Sequence, residues 1–450
     1  MRVAWVFVVG CETPAPPLDE SDPVGDPCEV PGNVCRWLGV PGEALFSGEG
    51  TDRSEDFATG TFLSLPVDIT FAPDGTAYYP DYNNYRIRRV SVDGFVTTMS
   101  GTGVMGDGLR PEDGSAPDCW GGCDALLSLW NHPTHVAIDP ADDTKLYVSA
   151  WHNSRLTVVD SLASTMTWVA GTGKRFYGDG LDPLTAELPP EEQVYRLDLA
   201  VLDMPSSIVF GPDGTLYFSD QDNHLVRKIA PGSTRVEIVA GQIAPAVHPT
   251  TGLPTFIREP GYEGDGGDAL LAKLHGHSED HPDPGSRIVG DLANHRVLIA
   301  DSLNGVIRTY DLDTGIIDTI AGRYTSSGDI DVTDISTGIT TTVDGGSIPG
   351  YAGDGGPALE AVFNQPSDIA VGIDGEIYIA DTKNHCVRVL HDGIVDRFAG
   401  LCDPTNFAYA GDGVPALDAE FTDIYGVEVD PDGNVYVVDT SNHVIRRVKR

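Results

Sequence analysis

Alternating apolar and polar residues recur in short runs along most of the chain, each run broken by Gly, Pro, Asp or Asn, as expected of half-buried strands joined by tight turns. Six segments share one pattern, at 73–90, 142–159, 212–229, 293–310, 373–390 and 431–448; PDGTLYFSDQDNHLVRKI and PDGNVYVVDTSNHVIRRV show it well. Each opens on a turn, usually Asp-Gly, runs through one alternating strand to Asp-x-x-Asn, and continues into a second strand that usually carries Arg. Short apolar runs after proline stand upstream of the turns (PVDITFA, PTHVAID, PSSIVFG, PSDIAVG), and runs ending in Ala-Gly stand downstream (TWVAGTG, EIVAG, DTIAG, DRFAG). Four antiparallel strands at a period of about 60–90 residues describe a propeller blade, so the expected fold is all-β: a single six-bladed β-propeller of four-stranded antiparallel blades. The sixth copy reaches Arg450 directly after its third strand, while VCRWLG (34–39) has the form of a fourth strand and precedes the first blade. The ring is therefore expected to close by this N-terminal strand completing the last blade, which removes a sheet edge.

Composition narrows the partners more than the fold. The 450 residues carry 28 Lys and Arg against 68 Asp and Glu, a formal net charge of −40. Affinity for nucleic acid comes largely from cations that neutralise phosphates, so DNA and RNA are disfavoured, and so are anionic membrane surfaces. With 40% hydrophobic residues beside 52 Gly and 32 Pro, the chain has many turns and enough apolar material for a core.

The first eleven residues, MRVAWVFVVGC, resemble a bacterial lipoprotein signal ending at the lipidation cysteine, Cys11. Their apolar run, Val3 to Val9, is far shorter than the roughly 18 residues that span a bilayer. The expected order is a signal at 1–11, a flexible acidic Pro-rich tether at 12–33 and the propeller at 34–450. That order implies export, with membrane contact only through a lipid anchor, at the outer membrane in a diderm cell because Glu12 follows Cys11. Setting Cys11 aside leaves six cysteines, an even number that suits disulfides in an exported protein. Cys28 with Cys35, Cys119 with Cys123, and Cys386 with Cys402 are the proposed pairs among the 15 connectivities that six cysteines allow.

The recurrent DG turn, YxxD, NHxxR, AG and GDG elements are similar to those of the NHL-repeat β-propellers, especially their bacterial secreted branch. In that branch loops of the form GDGGPA separate the blades, and here they appear at 351–366, 409–424 and 262–277, with longer versions around Asp107 and Asp179. The resemblance implies a fold rather than an activity. A residue repeated in every blade serves the blade's own construction, so Asp-x-x-Asn, the histidines His224, His385 and His443, and the GDG aspartates are read as turn-building groups.

Residues that break the repeat are the better candidates for function. Two places after the proline that precedes each inner strand stand Asp68, His135, Ser207 and Asp368, a varied polar set expected at the mouth of the channel as a ligand-binding site. The fourth blade departs most, with His277 where proline is expected and His275, His277 and His281 close to Glu279, Asp280 and Asp283. With His135 these histidines form a candidate site for a divalent metal, zinc or calcium. The favoured reading is a monomeric, envelope-anchored binding or scaffold module for a protein, glycan or small-molecule ligand. The alternative is a metal-dependent lyase or hydrolase at one channel mouth, since six-bladed NHL-like rings resemble such enzymes; no catalytic residue is assigned.

Overall fold

The computed structural model describes residues 26–42, 56–108, 118–173, 196–198, 200, 202–247, 254–258, 260–276, 284–324, 330–333, 340–343, 350–405, 408–410 and 412–450. They form six antiparallel sheets arranged as the blades of one propeller. The inner strands are Thr70–Phe71, Pro133–Asp139, Pro205–Phe210, Ile288–Asp291, Pro366–Val371 and Ile424–Val429. Blade 3 has four strands; each of the other five gains a two-residue outer strand, as at Gly356–Pro357 and Val414–Pro415, from the loop that leads into that blade. Two small hairpins, Ile243–Val247 with Pro254–Arg258 and Ile330–Thr333 with Thr340–Val343, follow blades 3 and 4.

The ring closes as the sequence predicts. Strand Asn33–Gly39 lies antiparallel to Val444–Val448, with Val34 opposite Val448 and Gly39 opposite Val444. Gly39 occupies the place held in the other blades by Gly101, Gly171, Gly241, Gly322 and Gly400. All six have φ between +91° and +103°, and a Cβ on Gly39 would fall 2.4 Å from the His443 carbonyl oxygen. Only glycine tolerates both the dihedral and the approach, so the glycine after the fourth strand is required where the chain leaves that strand against the turn between second and third strands. Leu38, Tyr436, Val438 and Ile445 of the last blade then share a buried cluster with Ile69, Tyr79, Val90 and Val96 of the first. Residues 26–32, expected within the tether, also pack on this blade: the Asn33 amide bonds the Pro27 and Gly413 carbonyls, and Glu29 pairs with Arg447 and Lys449.

The three disulfides join Cys28 to Cys35, Cys119 to Cys123 and Cys386 to Cys402. Cys11 and the rest of residues 1–25 lie outside the described residues, as does the long loop around Asp179.

The repeated polar residues build the blades. In five blades the Asn amide donates to the repeat Asp at 2.8–2.9 Å. The same Asp accepts a backbone N–H from the loop entering its blade, for example Asn364 to Asp381 at 2.7 Å and Thr422 to Asp439 at 2.8 Å. Burial pushes Asp381 and Asp439 up to about 7. The repeat Arg lies fully buried beneath the GDG loop. Arg388 reaches Asp354 at 2.5 Å and the carbonyls of Val362 and Ala352, and its guanidinium lies between Tyr351 and Phe363. Arg308 and Arg446 repeat this with Asp265 and Asp412. Blade 2 has neither the Asp (Ala150) nor the Arg (Thr157); Arg155, two residues nearer the turn, takes over and binds Asp107 at 3.0 Å. Among the described residues the GDG carboxylates Asp107, Asp265, Asp354 and Asp412 are thus held by arginine.

Candidate functional site

The six inner strands bring one side-chain position of each blade to the axis: Asp68, His135, Ser207, Arg287, Asp368 and Gly426. In four blades that side chain accepts an N–H from the inner strand of the next blade. Val136 donates to Asp68 at 3.4 Å, Ile208 to His135 Nδ1 at 3.3 Å, Ile288 to Ser207 at 2.7 Å and Val427 to Asp368 at 3.0 Å. Neighbouring inner strands diverge around a ring and cannot complete a ladder, so a short acceptor at this position satisfies a buried N–H that would otherwise be costly. Gly426 has no room for more, since a Cβ there would sit 2.7 Å from the Val67 carbonyl oxygen.

Arg287 is the exception and the centre. Its side chain is 1% exposed and spans the axis. Nη1 donates to Asp68 at 2.9 Å and to Asp368 at 3.2 Å, while Nη2 donates to the carbonyls of Val67 at 2.7 Å and Thr134 at 2.9 Å. One residue of blade 4 therefore ties blades 1, 2 and 5. Burial raises Asp68 and Asp368 above the usual carboxylate range and the Arg287 charge opposes the rise. Burial pushes His135 down to about 3, with Arg287 adding to the effect, so its imidazole is neutral and carries its proton on Nε2 while Nδ1 accepts.

A cavity of about 760 Å³ opens on the face that carries the Asp-Gly turns, within the usual size of a ligand pocket. Blades 1 to 3 form most of its wall, with Phe71, Ile138, Ile208 and Phe210 as apolar surface; Leu292 comes from blade 4 and Glu428 from blade 6. Of the four predicted mouth residues, His135 lines this cavity, while Asp68, Ser207 and Asp368 are buried in the contacts between inner strands. Burial pushes Glu428 up to about 8, reinforced by Asp68 and Asp368 and opposed by its bond from the Val429 N–H and by Arg287.

The predicted metal group divides. His275 lies on the loop into blade 4, where its N–H donates to Asp301 at 2.8 Å and its ring meets His224 edge-on. His277, His281, Glu279, Asp280 and Asp283 lie outside the described residues, and among the described residues no three His, Cys, Asp or Glu side chains gather for a metal. The inner-strand position of proline, assigned to His277 by spacing, is taken by Gly285, so residues 277–284 are an insertion. Arg287 and Glu428 escaped the sequence reading. The signal for the first was Ser286-Arg287-Ile288, which matches Ser367-Asp368-Ile369 once the insertion is removed.

The NHL repeat family model matches residues 363–390, the inner, second and third strands of blade 5. The chain is a six-bladed propeller that carries an NHL repeat in blade 5. NHL repeat-containing protein 2 of Homo sapiens is 25% identical over 367 residues, covering 79% of this chain and 42% of that protein. Teneurin-m of Drosophila melanogaster is 28% identical over 215 residues, 46% of this chain and 6% of that protein, so this propeller spans less than half of either relative. Among solved structures, an auxiliary nutrient binding protein from Bacteroides ovatus superposes with a TM-score of 0.51 at 13% identity, covering 92% of this chain and 76% of that one. One from Bacteroides thetaiotaomicron has a TM-score of 0.50 at 14% identity over 92% and 75%. These likenesses are of fold.

Proposed function

We propose that this NHL-repeat propeller is an exported binding module that holds a small ligand in the cavity on its Asp-Gly face. The observation that carries the reading is the shape of the axis. Arg287 fills the centre of the ring and leaves a cavity of about 760 Å³ above it with preformed walls on rigid inner strands. The description of two proteins of similar fold as nutrient binding agrees with this use. Blocking the rim tests it. Ala141 and Leu292 are exposed at the cavity edge, so Ala141→Trp with Leu292→Trp narrows the entrance with little effect on the core. A ligand found by thermal-shift screening should stabilise the parent chain by about 2.7 kcal/mol at a hundred times its dissociation constant, and this should vanish in the double variant. Stabilisation that survives both tryptophans would place binding elsewhere and end the proposal.

Three disulfides and the lipoprotein-like amino terminus support an extracytoplasmic location, with attachment through Cys11 as the finer part of the proposal. Palmitate labelling of the full chain in a bacterial host should be lost in Cys11→Ser; labelling that persists would remove the anchor and leave the binding role.

A further inference from the structure

Among the residues that line the cavity, Asp139, Asp143, Asp213 and Glu428 are acidic and none is Lys or Arg. Phe71, Phe210, Ile138, Ile208 and Leu292 supply apolar and aromatic surface beside them. Glu428 breaks the repeat at a defined place. Two residues beyond the axial position the inner strands carry Thr70, Ala137, Val209, Val289, Ala370 and Glu428, so only the last blade puts an ionisable side chain there. Below it lie Asp68, Asp368 and the single guanidinium of Arg287, a set with more negative than positive charge.

We propose that the cavity takes a small organic cation with an apolar body, an ammonium or quaternary ammonium compound whose charge is met by Glu428 and whose body rests on Phe71 and Phe210. The inference deepens the binding role argued above and rests on the same cavity. An uncharged acid at this depth avoids the cost of an uncompensated buried charge when the cavity is empty; a cation entering restores the reason to ionise and releases the proton. Glu428 is pushed up to about 8, so affinity should rise as pH climbs toward 8 and level off above it. The other groups facing Glu428 are Asp68, Asp368 and Arg287 at the axis, Tyr436 opposite it on the next strand, neutral His135 in the same wall, and Asp139, Asp143 and Asp213 around the cavity.

Isothermal titration calorimetry with benzyltrimethylammonium, benzyl alcohol and benzoate separates charge from shape, because the first keeps its charge at every pH. The expected result is preference for the cation over both other probes, at least a tenfold gain in affinity from pH 6.5 to 8.5, and proton release in buffers of differing ionisation enthalpy. Glu428→Gln, which keeps the side-chain shape, should flatten that profile and bring the cation down to the level of the alcohol, with an unchanged melting temperature as control for folding. Cation binding no tighter than benzyl alcohol at pH 9, or unaffected by Glu428→Gln, overturns the proposal. If the alcohol or benzoate binds and is lost in the Ala141→Trp, Leu292→Trp variant while the cation is refused, the binding role stands and the charge assignment falls. Probes that bind that double variant as well as the parent chain overturn both.

Discussion

At the axis a single arginine does what the four acceptors cannot do alone. Asp68 and Asp368 each satisfy an N–H of the next blade, yet two buried carboxylates near one another repel, and Arg287 between them turns that cost into a tie across the ring. Replacing it by methionine should destabilise the protein by about 3–5 kcal/mol in urea denaturation, since both carboxylates remain buried without a cation. Adding Asp68→Asn and Asp368→Asn keeps the acceptors for Val136 and Val427 and should recover most of the loss. The sign of the pH effect follows from burial. An acid whose folded pKa lies above its unfolded value favours folding at low pH and loses that contribution as pH rises through the folded value, so the deficit of Arg287→Met should widen from pH 5 to pH 8. A deficit under about 1 kcal/mol at pH 8 would show that the tie contributes little.

Among the elements, the amino-terminal strand is the one that closes the ring. Val34 and Leu38 are fully buried, each stabilising by about 1.5–3 kcal/mol, and the strand covers the edge of Val444–Val448. A chain beginning at residue 41 should lose several kcal/mol and associate through the opened edge, seen as a lower melting temperature and concentration-dependent elution in size-exclusion chromatography. Melting like that of the full chain would refute closure by this strand. The strand was readable from VCRWLG because its Gly39 obeys the rule of the other five fourth strands. The two-residue outer strands were not, since they carry no strand pattern; Gly356–Pro357 forms where a GDG loop, held down by the buried Arg388, passes beside the fourth strand.

On the scale of the whole molecule, the acidic residues behind the charge of −40 include two groups with different meanings. Asp81, Asp220, Asp301, Asp381 and Asp439 are buried parts of the blades, while Asp139, Asp143, Asp213 and Glu428 face a cavity with no Lys or Arg among the described residues of its wall. The six-bladed ring, its circular offset and the structural task of Asp-x-x-Asn were determined by the sequence itself, because six copies of one local pattern repeat the same turn and strand physics, whereas the three cysteine pairs were one choice among 15 until the fold brought them together. The meeting of Arg287 with Asp68 and Asp368, and of Glu428 with the wall of blades 1 to 3, was decided only by the tertiary structure. These residues lie 219, 81 and several hundred positions apart, and no local pattern states which side chains converge when six inner strands are closed around one axis.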